Sequence, residues 1–240
     1  MRCLDMHPPQ ASTHACLSLL MNLMHGNAAA VASFVHAGGM QCALDLLADF
    51  AAVCMQAPAA PAGTPASNGA TGTTNNETSK SDCLGVCLGL LINVLEQDAS
   101  LCGTLLELVP SPQRAAAPGR AVQLLCALHG HVAGAASTEA EDVATPLSQP
   151  GELTLDTLAS LESSGQASFL LVYLCILLGF LAVSSKAAAA EVIAGLPGER
   201  VDVLVGPVEQ CLQFYASMGA MAADSQHNLQ QLISDLQRCN

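Results

Sequence analysis

The chain has 240 residues and a formal net charge of −13, from 20 acidic against 7 basic side chains. Apolar residues make up 51% of it, yet aromatics supply only 3% and Trp is absent, so a core must be built from Leu, Ala, Val, Cys and Met; that composition suits helices and argues against a sheet protein. The acidity argues against binding nucleic acid through phosphate neutralisation and against docking on anionic lipid, and it leaves room for a partner with a basic surface.

Met1 is followed by Arg2, Asp5 and two prolines, with no apolar run of the kind that directs secretion. Disulfides are therefore not expected, and most of the 11 cysteines read as small hydrophobes on buried helical faces. The first predicted helix carries Leu17, Leu20, Met21 and Met24 at i, i+3, i+4 and i+7, one stripe of an α-helix. Asn27 then reads as the cap of a helix over 28–37, stopped at Ala37-Gly38-Gly39. A helix over 40–55 follows, with Ala43, Leu46, Leu47 and Phe50 as its stripe. Residues 57–80 are Pro, Gly, Ala, Ser, Thr and Asn almost throughout and predict a disordered insertion.

The same stripe returns at Leu88, Leu91, Ile92 and Leu95, with Asp98 as the cap of a helix over 99–109. A proline-rich break at 110–119 leads to a helix over 120–133 with Val122, Leu125 and Leu128 inward. Residues 134–163 hold Glu139, Glu141, Asp142, Glu152, Asp156 and Glu162 without a Lys or Arg, and predict an acidic flexible insertion with a short helix around 153–161. The stripe appears a third time at Leu174, Leu177, Leu178 and Leu181, with Ser184 as the next cap, a helix over 185–195 and a turn at Leu196-Pro197-Gly198. Helices over 201–218 and 225–239 close the chain; Asp224 is placed to cap the last, whose stripe is Leu229, Leu232, Ile233 and Leu236.

Three copies of an apolar helix, a tight turn and a capped second helix describe an all-α fold, an α-solenoid of HEAT- or armadillo-like repeats forming one domain over 1–240. The stripes start at 17, 88 and 174, wider than the ~40–47 residues of such repeats, and the three insertions supply the excess. From Ser163 to Ser185 no residue is charged, but the dense apolar part runs only from Phe169 to Val183, shorter than the ~20 residues that cross a bilayer. A buried core helix is expected there, and no membrane.

The position after the third stripe residue holds Asn22, Asn93 and Gly179. Asn is a poor helix former, and burying its amide without partners costs roughly 1–3 kcal/mol. Either each Asn ties its helix to the turn behind it, or Asn22 and Asn93 form an amide ladder that grips an extended peptide. Gly179 interrupts the series and favours the first reading.

No nucleophile elbow, phosphate loop or dinucleotide fingerprint is present. Cys83 and Cys87 lack zinc spacing, and His129 and His131 lack an acidic partner and read as solvent-exposed. The sequence thus predicts no enzyme, cofactor, metal site or small-molecule substrate.

The runs CLSLLMNLMHGN, LGLLINVLEQDAS, AVQLLCALHG, LCILLGFLAVSSK and LQQLISDLQRC, in this order, resemble the C-terminal domain of the wings apart-like (Wapl) cohesin-release family. That family also has a variable insertion, an acidic loop ahead of an LLLG helix, an L-P-x-G turn like Leu196 to Gly198 and a short closing helix. The resemblance implies a nuclear, non-enzymatic protein that binds the cohesin ring and its HEAT-repeat regulatory subunits, favours opening of the gate between an SMC head and the kleisin, and so releases cohesin from chromatin in the control of sister chromatid cohesion during the cell cycle. The family domain is longer, so this chain would correspond to its C-terminal part. Where the family carries charged and His or Met residues, at the start of the LLLG helix, this sequence has Ser163-Ser164-Gly165-Gln166 in a predicted turn. The partner-binding candidates are Asn22, Asn93 and Gln166; the runner-up function is an armadillo-type scaffold that holds an extended peptide.

Overall fold

A computed structural model describes residues 10–56, 74–111, 119–143, 155–219 and 223–239. Among them are ten α-helices, one 3-10 turn and no strand. They gather into two compact units.

The first unit contains α1 (Gln10–Met24), α2 (Ala28–His36), α3 (Gly39–Gln56) and α4 (Thr74–Gln97), with the segment 109–111. The centre is α4, which packs on α1, α2 and α3. Cys83, Leu84, Cys87, Leu88, Leu90, Leu91, Val94 and Leu95 are all buried, so apolar contact runs round most of its circumference. Such a helix needs close neighbours, and Gly89 allows one: a Cβ there would lie 2.8 Å from Met21 Sδ on α1. Asn27 caps α2 as its sequence predicts, with Oδ1 accepting from the Ala30 amide at 3.0 Å. The buried face of α3 is Met40, Ala43, Leu44, Leu47, Ala48 and Ala51, while Leu46 and Phe50 of the expected stripe are only half-buried. The helix is rotated because its small residues, rather than Phe50, meet α4 and its neighbours.

A polar clasp fastens segment 109–111 to α3. Asp45 Oδ1 accepts from the Ser111 amide at 2.8 Å and Oδ2 from the Ser111 hydroxyl at 2.7 Å. Gln41 Nε2 donates to Asp45 Oδ1 and to the Val109 carbonyl, each at 3.0 Å, and Pro110 is buried.

The second unit contains α5 (Leu101–Glu107), α6 (Ala121–Val143), α7 (Leu155–Ser184), α8 (Lys186–Gly195), the 3-10 turn Pro197–Glu199, α9 (Asp202–Met218) and α10 (Ala223–Arg238). All five other helices touch α7. The whole run from Leu174 to Gly179 is buried, which only a helix surrounded by others achieves. Gly179 lets α10 in: a Cβ there would lie 3.2 to 3.3 Å from the methyls of Leu236 and Leu232. Leu229, Leu232, Ile233 and Leu236 are buried, as the stripe of α10 predicts.

Several expectations are corrected. The apolar stretch Gly165–Ser184 of α7 is 20 residues, long enough to cross a bilayer and longer than the 15 expected; half of it is buried inside the protein. The Asp98 amide donates to the Val94 carbonyl at 3.1 Å and closes α4, and α5 (Leu101–Glu107) is shorter than the expected 99–109. Ser184 likewise belongs to α7, where its hydroxyl donates to the Leu181 carbonyl at 2.7 Å; the extended Ser185 caps α8, accepting from the Ala188 amide at 3.1 Å. Helix covers 74–80, 134–143 and 155–163, where insertions were expected; Ala and Glu in 134–143 and Leu and Ala in 155–163 propagate helices already nucleated by the core. The short helix expected over 153–161 is thereby fused into α7. The remaining insertion residues, 57–73, 112–118 and 144–154, lie outside the described residues, and α10 begins at Ala223, one residue before the expected cap.

Cys83, Cys87, Cys102, Cys126 and Cys175 are buried as small hydrophobes. Burial pushes the thiols of Cys87 and Cys175 up to about 12, which removes thiolate chemistry at neutral pH.

Replacing Gly179 by Val should lower the unfolding free energy by about 1–3 kcal/mol, because the branched side chain overpacks against α10. Gly103→Ala, at a position where a Cβ meets nothing within 4 Å, should raise it by about 0.5–1 kcal/mol. Denaturant midpoints measure both; a Gly179→Val protein as stable as its parent would refute the close seating of α10.

Candidate functional site

The polar groups of the first unit collect where α1 and α4 end. Met21 meets Gly89 and Asn93, and His25 acts on Glu96, so the two helices run in the same direction. At a helix C-terminus the last carbonyls have no intrahelical donor. The Met21 carbonyl receives the His25 amide at 3.2 Å and, from the neighbouring helix, Asn93 Nδ2 at 2.9 Å. Asn93 is thus a cap supplied across the packing interface. It was expected to tie α4 to the turn behind it; instead it ties α4 to α1, because the pitch of α4 aims residue 93 at the end of its neighbour.

Asn22, next to the shared carbonyl, is exposed. Glu96 is half-buried at the C-terminal end of α4; burial raises its carboxyl above the ordinary 4.5, and His25 opposes that shift. Asn22, His25, Asn93 and Glu96 therefore form one polar rim. Each Asn is followed three residues later by an ionisable side chain, a repetition visible in the sequence that its reading passed over, as it did Asp45 and Ser111. Gln166 is half-buried inside α7, in helix and not in a turn, and belongs to the other unit.

His129 is also corrected. It lies on the buried face of α6 with Val122, Leu125, Cys126 and Val132 and is 2% exposed, whereas His131, two residues on, is exposed as expected. Among the described residues neither of its ring nitrogens has a hydrogen-bond partner, and burial holds its pKa below 6.5. Nothing there resembles a catalytic constellation: no base–nucleophile pair reaches it, and among the described residues no three His, Cys, Asp or Glu side chains converge as metal ligands would. No protein-family model matches this sequence, and no curated protein matches it either.

Asn93→Ala should destabilise the protein by about 0.5–1.5 kcal/mol by removing one of the two donors to the Met21 carbonyl, and Asn22→Ala should change stability by less than ~0.5 kcal/mol. Equal effects in thermal melts would remove the capping role. For His129 the folded pKa lies below the unfolded one, so its contribution is intact above pH 6.5 and is lost as pH falls through the folded value. His129→Leu should therefore gain stability over the parent most at acid pH, seen as a flatter pH profile of the unfolding midpoint; parallel profiles would show that His129 does not govern the acid limb.

Proposed function

We propose that this chain is a non-enzymatic interaction scaffold, an α-solenoid of HEAT- or armadillo-like repeats similar to the C-terminal part of the Wapl cohesin-release domain. It acts in the nucleus on the cohesin ring and its HEAT-repeat regulatory subunits, without direct contact to nucleic acid, membrane or a small-molecule substrate. The observation that supports this reading best is the pair α1 and α4. Two helices with the same stripe and the same Asn, far apart in sequence, lie side by side in parallel, as the first helices of successive repeats do. The order of the motifs, with the LLGF helix and the Leu196-Pro197-Gly198 turn following the acidic stretch, supports the Wapl likeness.

In this reading the mechanism is binding energy alone. A surface that fits cohesin better with its gate open than with it closed shifts the population toward the open state by that difference in affinity. The runner-up, a groove that grips a peptide with Asn22 and Asn93, has less support, since the Asn93 amide already serves the Met21 carbonyl.

Purified SMC head–kleisin complex and the HEAT-repeat regulatory subunit, each passed over the immobilised chain, should be retained. Retention of neither by a chain whose helical circular dichroism and cooperative melt are intact would overturn the cohesin reading.

A further inference from the structure

We propose that Ser111 is a phosphorylation site for a proline-directed protein kinase, and that its phosphate releases segment 109–111 from α3. The polar clasp and the sequence that follows it are independent observations, and they meet at one hydroxyl. Ser111 begins the run Ser111-Pro112-Gln113-Arg114. A proline-directed kinase reads an extended strand, with Pro directly after the acceptor hydroxyl and a basic residue at the third position beyond it. Such recognition depends on the linear order of residues and not on a fold. The chain has two other hydroxyl–Pro pairs, Thr64-Pro65 and Thr145-Pro146, and in each the third position is a Ser, Ser67 or Ser148. Only seven Lys and Arg serve 240 residues, so composition does not account for a base at that spacing.

The geometry defines what the hydroxyl does before modification. Ser111 Oγ donates to Asp45 Oδ2 at 2.7 Å, and the Ser111 amide donates to Asp45 Oδ1 at 2.8 Å. Gln41 Nε2 bridges Asp45 Oδ1 and the Val109 carbonyl, at 3.0 Å each. Ser111 is half-buried, and no part of 109–111 is helical. In the transfer, Ser111 Oγ attacks the γ-phosphorus of ATP. The new P–O bond forms as the bond to the β–γ bridging oxygen breaks, ADP leaves, and the hydroxyl proton passes to the kinase's catalytic carboxylate. The product has only acceptor oxygens at this place and about −1.5 to −2 charge at pH 7, beside a carboxylate that has lost its donor. Like charges at that distance hold the clasp open. Segment 109–111 can leave α3 while the chain on either side of the loop stays joined, because the Ala121 amide donates to the Leu108 carbonyl at 2.9 Å. Asp45 holds the acceptor hydroxyl when the clasp is closed, so the kinase acts on the open form, and the phosphate turns that minor state into the main one. The inference goes beyond the cohesin reading and uses no cohesin subunit, so the two fail separately.

The test incubates the whole chain with ATP and a cyclin-dependent kinase and places the phosphate by tandem mass spectrometry. Phosphate should appear at Ser111 and be absent from that position in Ser111→Ala. Arg114→Ala should slow its incorporation about tenfold, since the kinase loses a charge-assisted contact. Asp45→Ala should speed it about fivefold or more, and the milder Gln41→Ala by less, because fewer molecules are then held closed. Both lie far from Ser111 in sequence, so a Ser-Pro site without a clasp would be indifferent to them. Hydrogen–deuterium exchange reads the release. Proline has no N–H, so the Ser111 amide is the single one between Val109 and Gln113, and after phosphorylation it should exchange as fast as in Asp45→Ala. Circular dichroism melts identify any variant that fails to fold, and the two clasp substitutions remove different bonds. No phosphate at Ser111 of the folded parent, or a rate that the folded clasp variants leave unchanged, would overturn the proposal. So would a phosphorylated chain whose Ser111 amide stays protected, the result expected if the phosphate pairs with Arg114 and tightens the loop instead.

Discussion

Both units depend on hiding one helix round most of its circumference. Over 83–95 of α4 and 174–179 of α7 buried residues occupy most of the circumference, so neither stretch can rest against water. The chain must surround each with others, and it has almost no large rings to fill the gaps. The solution is close approach between thin side chains. Gly89 lies against Met21, Gly179 receives Leu232 and Leu236, and buried Cys and Ala complete the surfaces. Packing at this density converts small volume changes into strain, which is why these glycines are positions of constraint and not of flexibility.

A polar group placed among such helices must be matched locally or be costly. Asn93 and Asp45 are matched. The first caps α1 and the second clasps segment 109–111 onto α3. His129 is the exception, buried without a partner among the described residues. Surface charge contributes little by comparison. The Arg120–Glu191, Arg200–Asp202 and Arg238–Asp235 pairs have exposed guanidinium groups, where water screens the attraction and little stability results.

Burial holds several thiols and the Glu96 carboxyl toward their neutral forms. Cys126, with its thiol pushed up to about 11, donates to the Val192 carbonyl at 3.8 Å, a packing contact between α6 and α8. Glu96 is raised by burial at a helix end with His25 nearby, a polar rim without the base–nucleophile geometry of a reactive site.

Periodicity alone placed the three Leu stripes, the stripe of α10 and the Asn27 cap, because hydrophobic spacing and capping are local and a short window contains all the information they need. It also flagged Asn22 and Asn93 as out of place in apolar helices. It could not say that Asn93 serves a carbonyl 72 residues away while Asn22 faces water, that His129 is inside and His131 outside, or that α3 turns its small residues inward. Nor could it say that α7 packs on α9 and brings Tyr173 near Tyr215. Helical phase fixes which residues share a side. Only the neighbours that tertiary packing brings to each side decide whether it is covered and what hydrogen-bonds to it.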